Sequence, residues 1–387
     1  MAPSLSLERL SLTDFRNYGR LVLETGPGPV VLFGANGSGK TNLLEAISLL
    51  APGQGLRRAP YTDLTRVGAP GGWAVAARIN SRNGRADIGT GFNLSPGQGQ
   101  RPASGRVVRI DGDTVGGSGA LADYVEIVWL TPAMDGLFTG PASERRRFLD
   151  RLVLCFDPGF RSLAGRFERA MQSRNRLLAD GVRDPVLLEG VEIIMAEAGT
   201  AIAAARKATV RRLADVVTAR RERDPDSPFP WSAVALEGSL EEALESAPAV
   251  DVEDGYVRRL AITRERDRAA GRTLEGPHRS DFIVSHGPKN MPARLSSTGE
   301  QKALLIGLVM AEAELIAMRH GGSAPLLLLD EITAHLDVTR RAGLFAEILR
   351  LGAQAWMTGT DVSAFDALSG HAQMLRVADA GVHPLAG

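Results

Sequence analysis

The stretch VVLFGANGSGKTNLLEAISLL, residues Val30–Leu50, decides the fold. Its first four residues, Val30–Phe33, are all apolar and predict a short buried strand, and the apolar periodicity after Gly39 predicts a helix. Between them, Gly34–Thr41 fits the pattern G-x-x-x-x-G-K-[S/T], in the strand-to-helix position that this pattern requires. We therefore predict a phosphate-binding loop over Gly34–Thr41, called the phosphate loop below.

The residue types of the phosphate loop suit the binding of a nucleoside triphosphate with a metal ion. Glycines let consecutive backbone N–H groups turn toward a phosphate, and the N-terminus of the following helix adds its positive dipole end. We expect the Lys40 ammonium to contact the β- and γ-phosphates of ATP and the Thr41 hydroxyl to bind Mg²⁺. The alternative is a glycine turn that contains Lys-Thr by chance, and the flanking strand and helix disfavour it.

The composition disfavours several classes of protein. Lys+Arg and Asp+Glu are both 45, so the formal net charge is zero and a protein that coats polyanions over its whole surface is not expected. Hydrophobic residues make up 44% and charged residues 23% of the chain, which is typical of a globular protein. A single cysteine, no long apolar run and no signal peptide lead us to expect a cytoplasmic protein with no membrane contact.

The chain changes character twice along its length. The first 140 residues are rich in glycine and predict strands joined by tight loops, whereas helical periodicity dominates from Ser143 to about Arg268. Signals of strands alternating with helices then return and end in the strand QAWMTGT (Gln354–Thr360). We therefore predict an α/β unit formed by residues 1–140 and 268–387, interrupted by a mostly helical lobe over residues 141–267.

A second acidic motif follows an all-apolar strand. In PLLLLDEITAHLD (Pro325–Asp337), Asp330 ends the strand and Glu331 comes next. Two carboxylates at a buried strand end cost several kcal/mol to keep charged unless a cation or hydrogen bonds compensate. Mg²⁺ held by Asp330 and a water polarised by Glu331 would compensate this cost, whereas the alternative is an ordinary acidic helix cap.

A serine-containing loop precedes this strand by about 30 residues. LSSTGEQK (Leu295–Lys302), called the serine loop below, opens a long apolar helix, so Ser297 and Gly299 would form a second anion-binding helix N-terminus. Two phosphate-binding devices in one chain suggest a dimer in which each device completes the nucleotide site of the other copy. The alternative is a simple helix cap.

With these three elements in this order, the chain resembles the ABC-type ATPase heads of the SMC, RecN and RecF group, and most closely the RecF branch. The resemblance rests on FRNY (Phe15–Tyr18), the stretch Thr131–Arg151, EGPHRSDF (Glu275–Phe282) and LLLDEITAHLD. The insert of about 125 residues is far shorter than the coiled coils of SMC proteins. The resemblance implies an α/β fold of the ABC-type P-loop ATPase head, with an inserted, mostly helical second lobe.

The resemblance implies roles for individual residues. Asp330 would hold the metal and Glu331 would orient water, while Asp337 would lie at the seam of an ATP-dependent homodimer. Ser297 and Gly299 would contact the γ-phosphate of the other subunit. The contacts to ATP and Mg²⁺ that it implies are Arg16, Asn17, Gly34, Ala35, Asn36, Gly37, Ser38, Gly39, Lys40, Thr41 and Asn42.

The resemblance also implies a function in recombinational repair and replication restart. It implies ATP-dependent binding to single-stranded or double-stranded DNA at gaps, help in loading a recombinase, slow hydrolysis, and work with RecR and RecO. Two departures from transporter-type ABC proteins agree with slow hydrolysis. Thr131 stands where those proteins place a glutamine, and the segment Met357–Asp361 lacks their histidine.

Two other functions remain open on the sequence alone. One is the ATPase subunit of a membrane importer, and the other is an interaction protein whose dimer is held by ATP without DNA affinity. For DNA binding, the candidate basic stretches are Ser143–Arg151, Ala205–Arg223 and Val257–Arg279, with Arg57 and Arg58 as weaker candidates. Arginine-rich helices with interspersed acids are, alternatively, ordinary solvated faces.

Overall fold

The computed structural model describes residues 5–93, 105–334 and 336–385. Residues 94–104 of the predicted antiparallel strands, and His335 of the acidic motif, lie outside the described residues. The chain forms two compact units. The sheet unit comprises Met1–Asp135, Asp226–Phe229 and Leu305–Gly387, and the helical unit comprises Gly136–Pro225 and Pro230–Leu304.

The secondary structure follows in chain order. The strands are β1 (Ser6–Phe15), β2 (Tyr18–Glu24), β3 (Val30–Phe33), β4 (Gly72–Ser81), β5 (Gly84–Asn93), β6 (Val107–Ile110), β7 (Asp113–Thr114), β8 (Ile127–Leu130), β9 (Ser232–Glu237), β10 (Asp281–His286), β11 (Met291–Pro292), β12 (Leu326–Leu329), β13 (Ala355–Gly359), β14 (Gln373–Ala378) and β15 (Gly381–Pro384). The helices are α1 (Lys40–Ser48), α2 (Ala142–Phe156), α3 (Phe160–Ala179), α4 (Pro185–Arg223), α5 (Ser239–Ser246), α6 (Ala249–Ile262), α7 (Arg264–Ala269), α8 (Thr298–Arg319) and α9 (Val338–Leu351).

The sheet unit contains two sheets of different kinds. One is antiparallel, in the order β2-β1-β4-β5-β6-β7, and its strands alternate between buried and exposed residues. The other has the order β15-β14-β3-β13-β12-β8, and all its neighbouring strands are parallel except the pair β14–β15. The central strands β3, β12 and β13 are wholly buried, which explains their continuous apolar runs.

The parallel sheet places the two predicted motifs at one edge. Val30 pairs with Trp356 and Leu329 pairs with Met357, so β3, β13 and β12 run side by side in one direction. The carboxyl ends of parallel strands meet at the same edge of a sheet, where ligands of open α/β sheets bind. The phosphate loop leaves β3 at this edge and Asp330 leaves β12 there.

One expectation from the sequence is wrong. The strand QAWMTGT is not the last, because β14 and β15 follow it and β14 pairs with β3. The mostly helical unit also contains a three-stranded sheet, formed by β9, β10 and β11, which the sequence pattern did not predict. These strands are short and half-exposed, so their apolar pattern is weak.

The boundary between the units differs from the predicted residues 140 and 267. The helical unit begins at Gly136 and extends to Leu304, so it contains β10 and the first part of α8. The physical reason is that β10 forms its strand pair and an ion pair with elements of the helical unit. Asp281 of β10 pairs with Glu237 of β9, and the Arg145 guanidinium forms two hydrogen bonds with the Asp281 carboxylate at 2.8 Å each.

The interior of the helical unit contains a charged network centred on Arg174. Its side chain is fully buried on α3 and donates hydrogen bonds to Glu192 at 2.9 Å and to Asp267 at 2.8 Å. It also donates to the carbonyl of Leu260 at 2.7 Å and the hydroxyl of Thr273 at 2.9 Å. The network therefore ties α3, α4, α6 and α7 together.

The described helices do not include one that is long and apolar enough to cross a membrane.

Candidate nucleotide site

The phosphate loop adopts a backbone that only glycine fits at two positions. Gly34 has φ 152° and Gly39 has φ 110°, both in the region that L side chains rarely adopt. A Cβ at Gly34 would collide with the carbonyl oxygen of Val377, and a Cβ at Gly39 would collide with Asn17 and Tyr18. The predicted need for glycine in this loop therefore has a steric cause as well as a functional one.

Lys40 lies in the first turn of α1, and its side chain folds back over the loop. Its Nζ donates hydrogen bonds to the carbonyl oxygens of Gly34 at 2.6 Å and Ala35 at 2.8 Å. Burial lowers the pKa of this ammonium, and the nearby carboxylates of Glu331 and Asp330 oppose that effect. The ammonium is thus held in the loop between backbone carbonyls that a phosphate can replace.

Thr41, Asp330 and Thr358 form a hydroxyl–carboxylate–hydroxyl cluster beside the loop. The Thr41 hydroxyl donates to Oδ1 of Asp330 at 2.9 Å, and the Thr358 hydroxyl donates to the same oxygen at 2.8 Å. Asp330 is only 5% exposed. Among the described residues there is no cluster of three or more His, Cys, Asp or Glu suited to a metal ion.

These residues nevertheless fit Mg²⁺. This ion takes oxygen ligands and is usually bound through one or two protein groups together with phosphate oxygens and waters. A hydroxyl and a carboxylate that already lie 2.9 Å apart at the mouth of a phosphate loop provide such a pair. The predicted metal residues, Thr41 and Asp330, are therefore adjacent in the fold.

Glu331 differs from Asp330 in its surroundings. The sequence suggested two buried carboxylates, but only Asp330 is buried and Glu331 is exposed. Glu331 has φ 50°, and its backbone N–H donates to the Thr358 hydroxyl at 2.7 Å. A left-handed backbone at a non-glycine residue costs on the order of 1 kcal/mol or more and is typical of functional sites. The Glu331 carboxylate is exposed to solvent, where it can accept a hydrogen bond from a water molecule.

The FRNY turn packs against the phosphate loop and α1. The Asn17 side chain accepts a hydrogen bond from Asn42 at 2.8 Å, and the Tyr18 hydroxyl donates to the carbonyl of Gly39 at 3.1 Å. Burial raises the pKa of the Tyr18 phenol. Asn17 therefore lies beside the phosphate loop, and its contact with a nucleotide stays a prediction.

Arg16, a predicted nucleotide contact, is bound to α1 and to the segment that follows it. Its guanidinium forms two hydrogen bonds with the buried Glu45 of α1, at 2.8 and 2.9 Å, and a third with the carbonyl of Asp63 at 3.0 Å. Arg57 joins the same carboxylate at 3.4 Å and donates to Asn42 at 2.9 Å. The two arginines thus hold α1 and its neighbouring loops together.

Two clefts open beside the loop. One, of about 710 Å³, is formed by Asn17, the phosphate loop from Gly34 to Ser38, and the turn that joins β14 to β15. The other, of about 340 Å³, is lined by Asn36, Glu331 and Arg341. Thr360, which follows the end of β13, lines both clefts.

Sequence reasoning missed part of the wall of the larger cleft. Arg376 and Asp379 line it from β14 and from the turn that follows. The only available signal was the alternating run QMLRVADAGV, in which Asp379 and Ala380 have positive φ, as in a tight hairpin turn. Thr358 was also missed, because nothing local to the sequence indicates which residue lies beside Asp330.

The serine loop belongs to the helical unit and forms a helix cap. Both the backbone N–H and the hydroxyl of Ser297 donate to the Glu300 carboxylate at 3.0 Å, one turn into α8. Lys289 forms an ion pair with Glu300, and this pair together with the Ser297 hydrogen bonds lowers the pKa of Glu300 to about 2. Gly299 lies in the same first turn, and Ser297 itself is exposed.

Asp337 also caps a helix. Its carboxylate accepts a hydrogen bond from the backbone N–H of Arg340 at 2.8 Å at the start of α9. Its side chain is 59% exposed. This position leaves the carboxylate open to solvent on the sheet unit.

Several arginines of the three basic stretches form ion pairs with acids within the helical unit. Examples are Arg145 with Asp281, and Arg206 with Asp150. Others of the third stretch pair with Glu192, Glu265 and Glu275. The exposed arginines that form no ion pair with any described residue include Arg147, Arg211, Arg272 and Arg279. The basic stretches therefore contain both arginines that are held in ion pairs and exposed arginines without an acidic partner among the described residues.

Comparison with known proteins agrees with this architecture. The family model described as RecF/RecN/SMC N terminal domain matches residues 6–366. The chain is 54% identical over 385 residues to the DNA replication and repair protein RecF of Mesorhizobium japonicum, which covers 99% of each protein. It is also 54% identical over 375 residues to the protein of the same name from Brucella suis, covering 96% of this chain and 94% of that protein.

Solved structures show the same fold. A structure of the recombination mediator protein RecF-ATP in the RecFOR pathway matches with a TM-score of 0.84 at 23% identity, covering 100% of this chain and 99% of that chain. An Smc head domain from Pyrococcus furiosus, bound to the C-terminal domain of ScpA, matches with a TM-score of 0.55 at 16% identity, covering 98% and 96%.

These matches confirm the predicted α/β fold of an ABC-type ATPase head and favour the repair family over the importer subunit. The match to the family model spans most of the chain, and the identities to the curated relatives exceed half over nearly full length. The chain therefore belongs to the RecF family of DNA replication and repair proteins.

Proposed function

We propose that this chain is an ATP-dependent DNA-binding protein of recombinational repair and replication restart. ATP with Mg²⁺ closes a homodimer on gapped DNA, and slow hydrolysis opens it again. The observation that supports the proposal best is the cluster of Thr41, Asp330, Thr358 and Glu331 beside the phosphate loop. Family membership places this cluster in a repair protein.

Each residue of the site has a chemical task in this proposal. Lys40 exchanges the carbonyls of Gly34 and Ala35 for phosphate oxygens, which offer its ammonium a full counter-charge. Thr41 and Asp330 hold Mg²⁺, which neutralises charge that develops on the phosphates. The exposed Glu331 carboxylate orients the attacking water and accepts its proton.

In the proposed dimer, the serine loop binds the nucleotide of the other copy. The exposed Ser297 and the half-buried Gly299 at the N-terminus of α8 offer a hydroxyl and backbone N–H groups to the γ-phosphate of the other copy. The exposed Asp337 lies at the dimer seam in the same proposal. The nucleotide site would then be complete only between two copies, so ATP would control dimer formation.

DNA would be held through its backbone. The chain has no net charge, so affinity must come from local cations such as Arg147, Arg211 and Arg279. The name of the solved relative mentions the RecFOR pathway, which supports RecR and RecO as partners and help in loading a recombinase. A cytoplasmic location follows from that role.

A DNA-binding assay with a gapped duplex, with and without ATP, tests the proposal. We expect ATP to strengthen binding, and affinity to fall steeply between low and physiological salt because phosphate contacts release counterions. Scrambling the sequence of the duplex should change little. An ATP-bound dimer without DNA affinity would instead support the interaction-protein alternative, and a flat salt response would contradict backbone binding.

A further inference from the structure

Thr358 provides a buried hydroxyl between the Asp330 carboxylate and the Glu331 backbone amide of the nucleotide site. It lies on β13, next to the register pair Leu329 and Met357, so the parallel sheet sets it beside Asp330. Its side chain is completely buried. Its single proton goes to Oδ1 of Asp330 at 2.8 Å, and its oxygen accepts the backbone N–H of Glu331 at 2.7 Å.

We propose that Thr358 is a positioning residue that fixes the Asp330 carboxylate and the Glu331 backbone as one rigid element. This inference rests on the proposed ATP hydrolysis. One hydroxyl group makes both hydrogen bonds, since it donates its proton to Asp330 and accepts the N–H of Glu331. Among side chains of this volume, a hydroxyl is the group suited to do both. Thr358 touches neither nucleotide nor water in this proposal and acts only through its two neighbours.

The two hydrogen bonds have distinct consequences. The bond to Asp330 holds the carboxylate beside the Thr41 hydroxyl, so the pair of oxygen donors for Mg²⁺ is assembled before the ion arrives. The bond from Glu331 satisfies an N–H in a backbone with φ 50°, which a non-glycine residue adopts only when its surroundings impose it. Loss of the hydroxyl should release both restraints at once.

Thr358→Val removes the hydroxyl at nearly constant volume, and Thr358→Ser restores it. The buried threonine Thr209, whose hydroxyl bonds to the carbonyl of Ala205 in the helical unit, provides the matched control Thr209→Val. We expect Thr358→Val to lower kcat about 10- to 100-fold and to raise the Mg²⁺ concentration needed for half-maximal rate, as for other groups that orient metal ligands. Binding of a fluorescent ATP analogue without metal should stay within about twofold, because the phosphate loop is untouched.

Amide hydrogen exchange in the absence of nucleotide and metal gives a second readout. The amide of Glu331 should exchange faster in Thr358→Val and return to the wild-type rate in Thr358→Ser, while Thr209→Val leaves it unchanged. If Thr358→Val does not fold, Thr358→Cys replaces it, because a thiol keeps the volume and is a weak donor. The cysteine variant should then show the same loss of kcat and of amide protection.

Several results would overturn the inference. One is a folded Thr358→Val or Thr358→Cys protein with the kcat and the Mg²⁺ dependence of the wild type. Another is a Thr358→Ser protein that recovers neither the wild-type kcat nor the wild-type Mg²⁺ dependence. Failure of the proposed function would be recognised in the wild-type protein, which would then neither bind nor hydrolyse ATP. In that case the exchange rate of the Glu331 amide still decides whether Thr358 positions it.

Discussion

The Thr41 hydroxyl donates a 2.9 Å hydrogen bond to Oδ1 of Asp330, although 289 residues separate the two in the chain. This bond joins the start of α1 to the end of β12, the two places where the sequence showed its strongest motifs. The two side chains predicted to bind Mg²⁺ are therefore adjacent in the fold. The site is therefore largely preorganised for a nucleotide.

Lys40→Ala should weaken ATP binding by at least about 100-fold, because it removes the ammonium held in the phosphate loop. Equilibrium titration with a fluorescent ATP analogue measures this. Lys207→Ala is the control, since Lys207 pairs with Glu245 in the helical unit. Wild-type affinity in Lys40→Ala would contradict the assignment of the nucleotide site.

Ser297→Arg should leave ATP binding by the monomer intact and abolish ATP-dependent dimers and hydrolysis, because the bulk blocks the γ-phosphate of the other copy. The change also removes a helix cap at a cost of about 1 kcal/mol. Asp184→Ala, which removes the cap of α4, controls for that loss. Sedimentation with ATP separates the two effects, and weakened ATP binding by monomeric Ser297→Arg would mean that the loop acts within its own chain.

Glu331→Gln should have the opposite effect to Ser297→Arg. The amide keeps the shape of the side chain but is a poor base, so ATP-bound dimers should accumulate while turnover is lost. A mixture of the two variants contains heterodimers with one intact site, and up to half of the wild-type turnover should return if the sites act independently. An inert mixture that still forms dimers would contradict either the trans assignment or independent sites.

The Glu300 carboxylate should stabilise the start of α8 only above acidic pH. Its pKa falls from 4.5 to about 2 in the folded state, so its contribution is fully present above about pH 4.5 and is lost as pH falls toward 2. The difference in thermal midpoint between wild type and Glu300→Gln should therefore shrink over that window. Glu242→Gln, in the first turn of α5, is the comparison, and a pH-independent difference at Glu300 would exclude the charged cap.

Arg174→Met should destabilise the helical unit by about 3–5 kcal/mol, because it leaves buried carboxylates without their partner. Arg166 lies on the same helix and pairs with Glu197 at the surface, so Arg166→Met should cost about 0–1 kcal/mol. Urea unfolding of the full chain measures both changes. Equal costs for the two variants would show that burial of the network contributes nothing.

The sequence predicted the local parts of the site because each is encoded by neighbouring residues. The spacing of Gly34, Gly39 and Lys40 reflects a backbone that only glycine fits, and the predicted strand Val30–Phe33 is confirmed to the residue. The apolar run before Asp330 likewise predicted a buried strand. Strand, loop and helix signals act over a few residues, so they are visible without the fold.

The tertiary structure alone decided which distant residues meet. The register of β12 and β13 sets Thr358 beside Asp330, and the pairing of β14 with β3 brings Arg376 to the cleft. It also showed that several candidate DNA-binding arginines, such as Arg145 and Arg206, form ion pairs with acids. Strand order and ion pairing depend on contacts between segments that are distant in the chain, from 28 residues for Thr358 and Asp330 to more than 340 for β3 and β14. The sequence does not reveal them because no local pattern specifies which of many compatible partners is chosen.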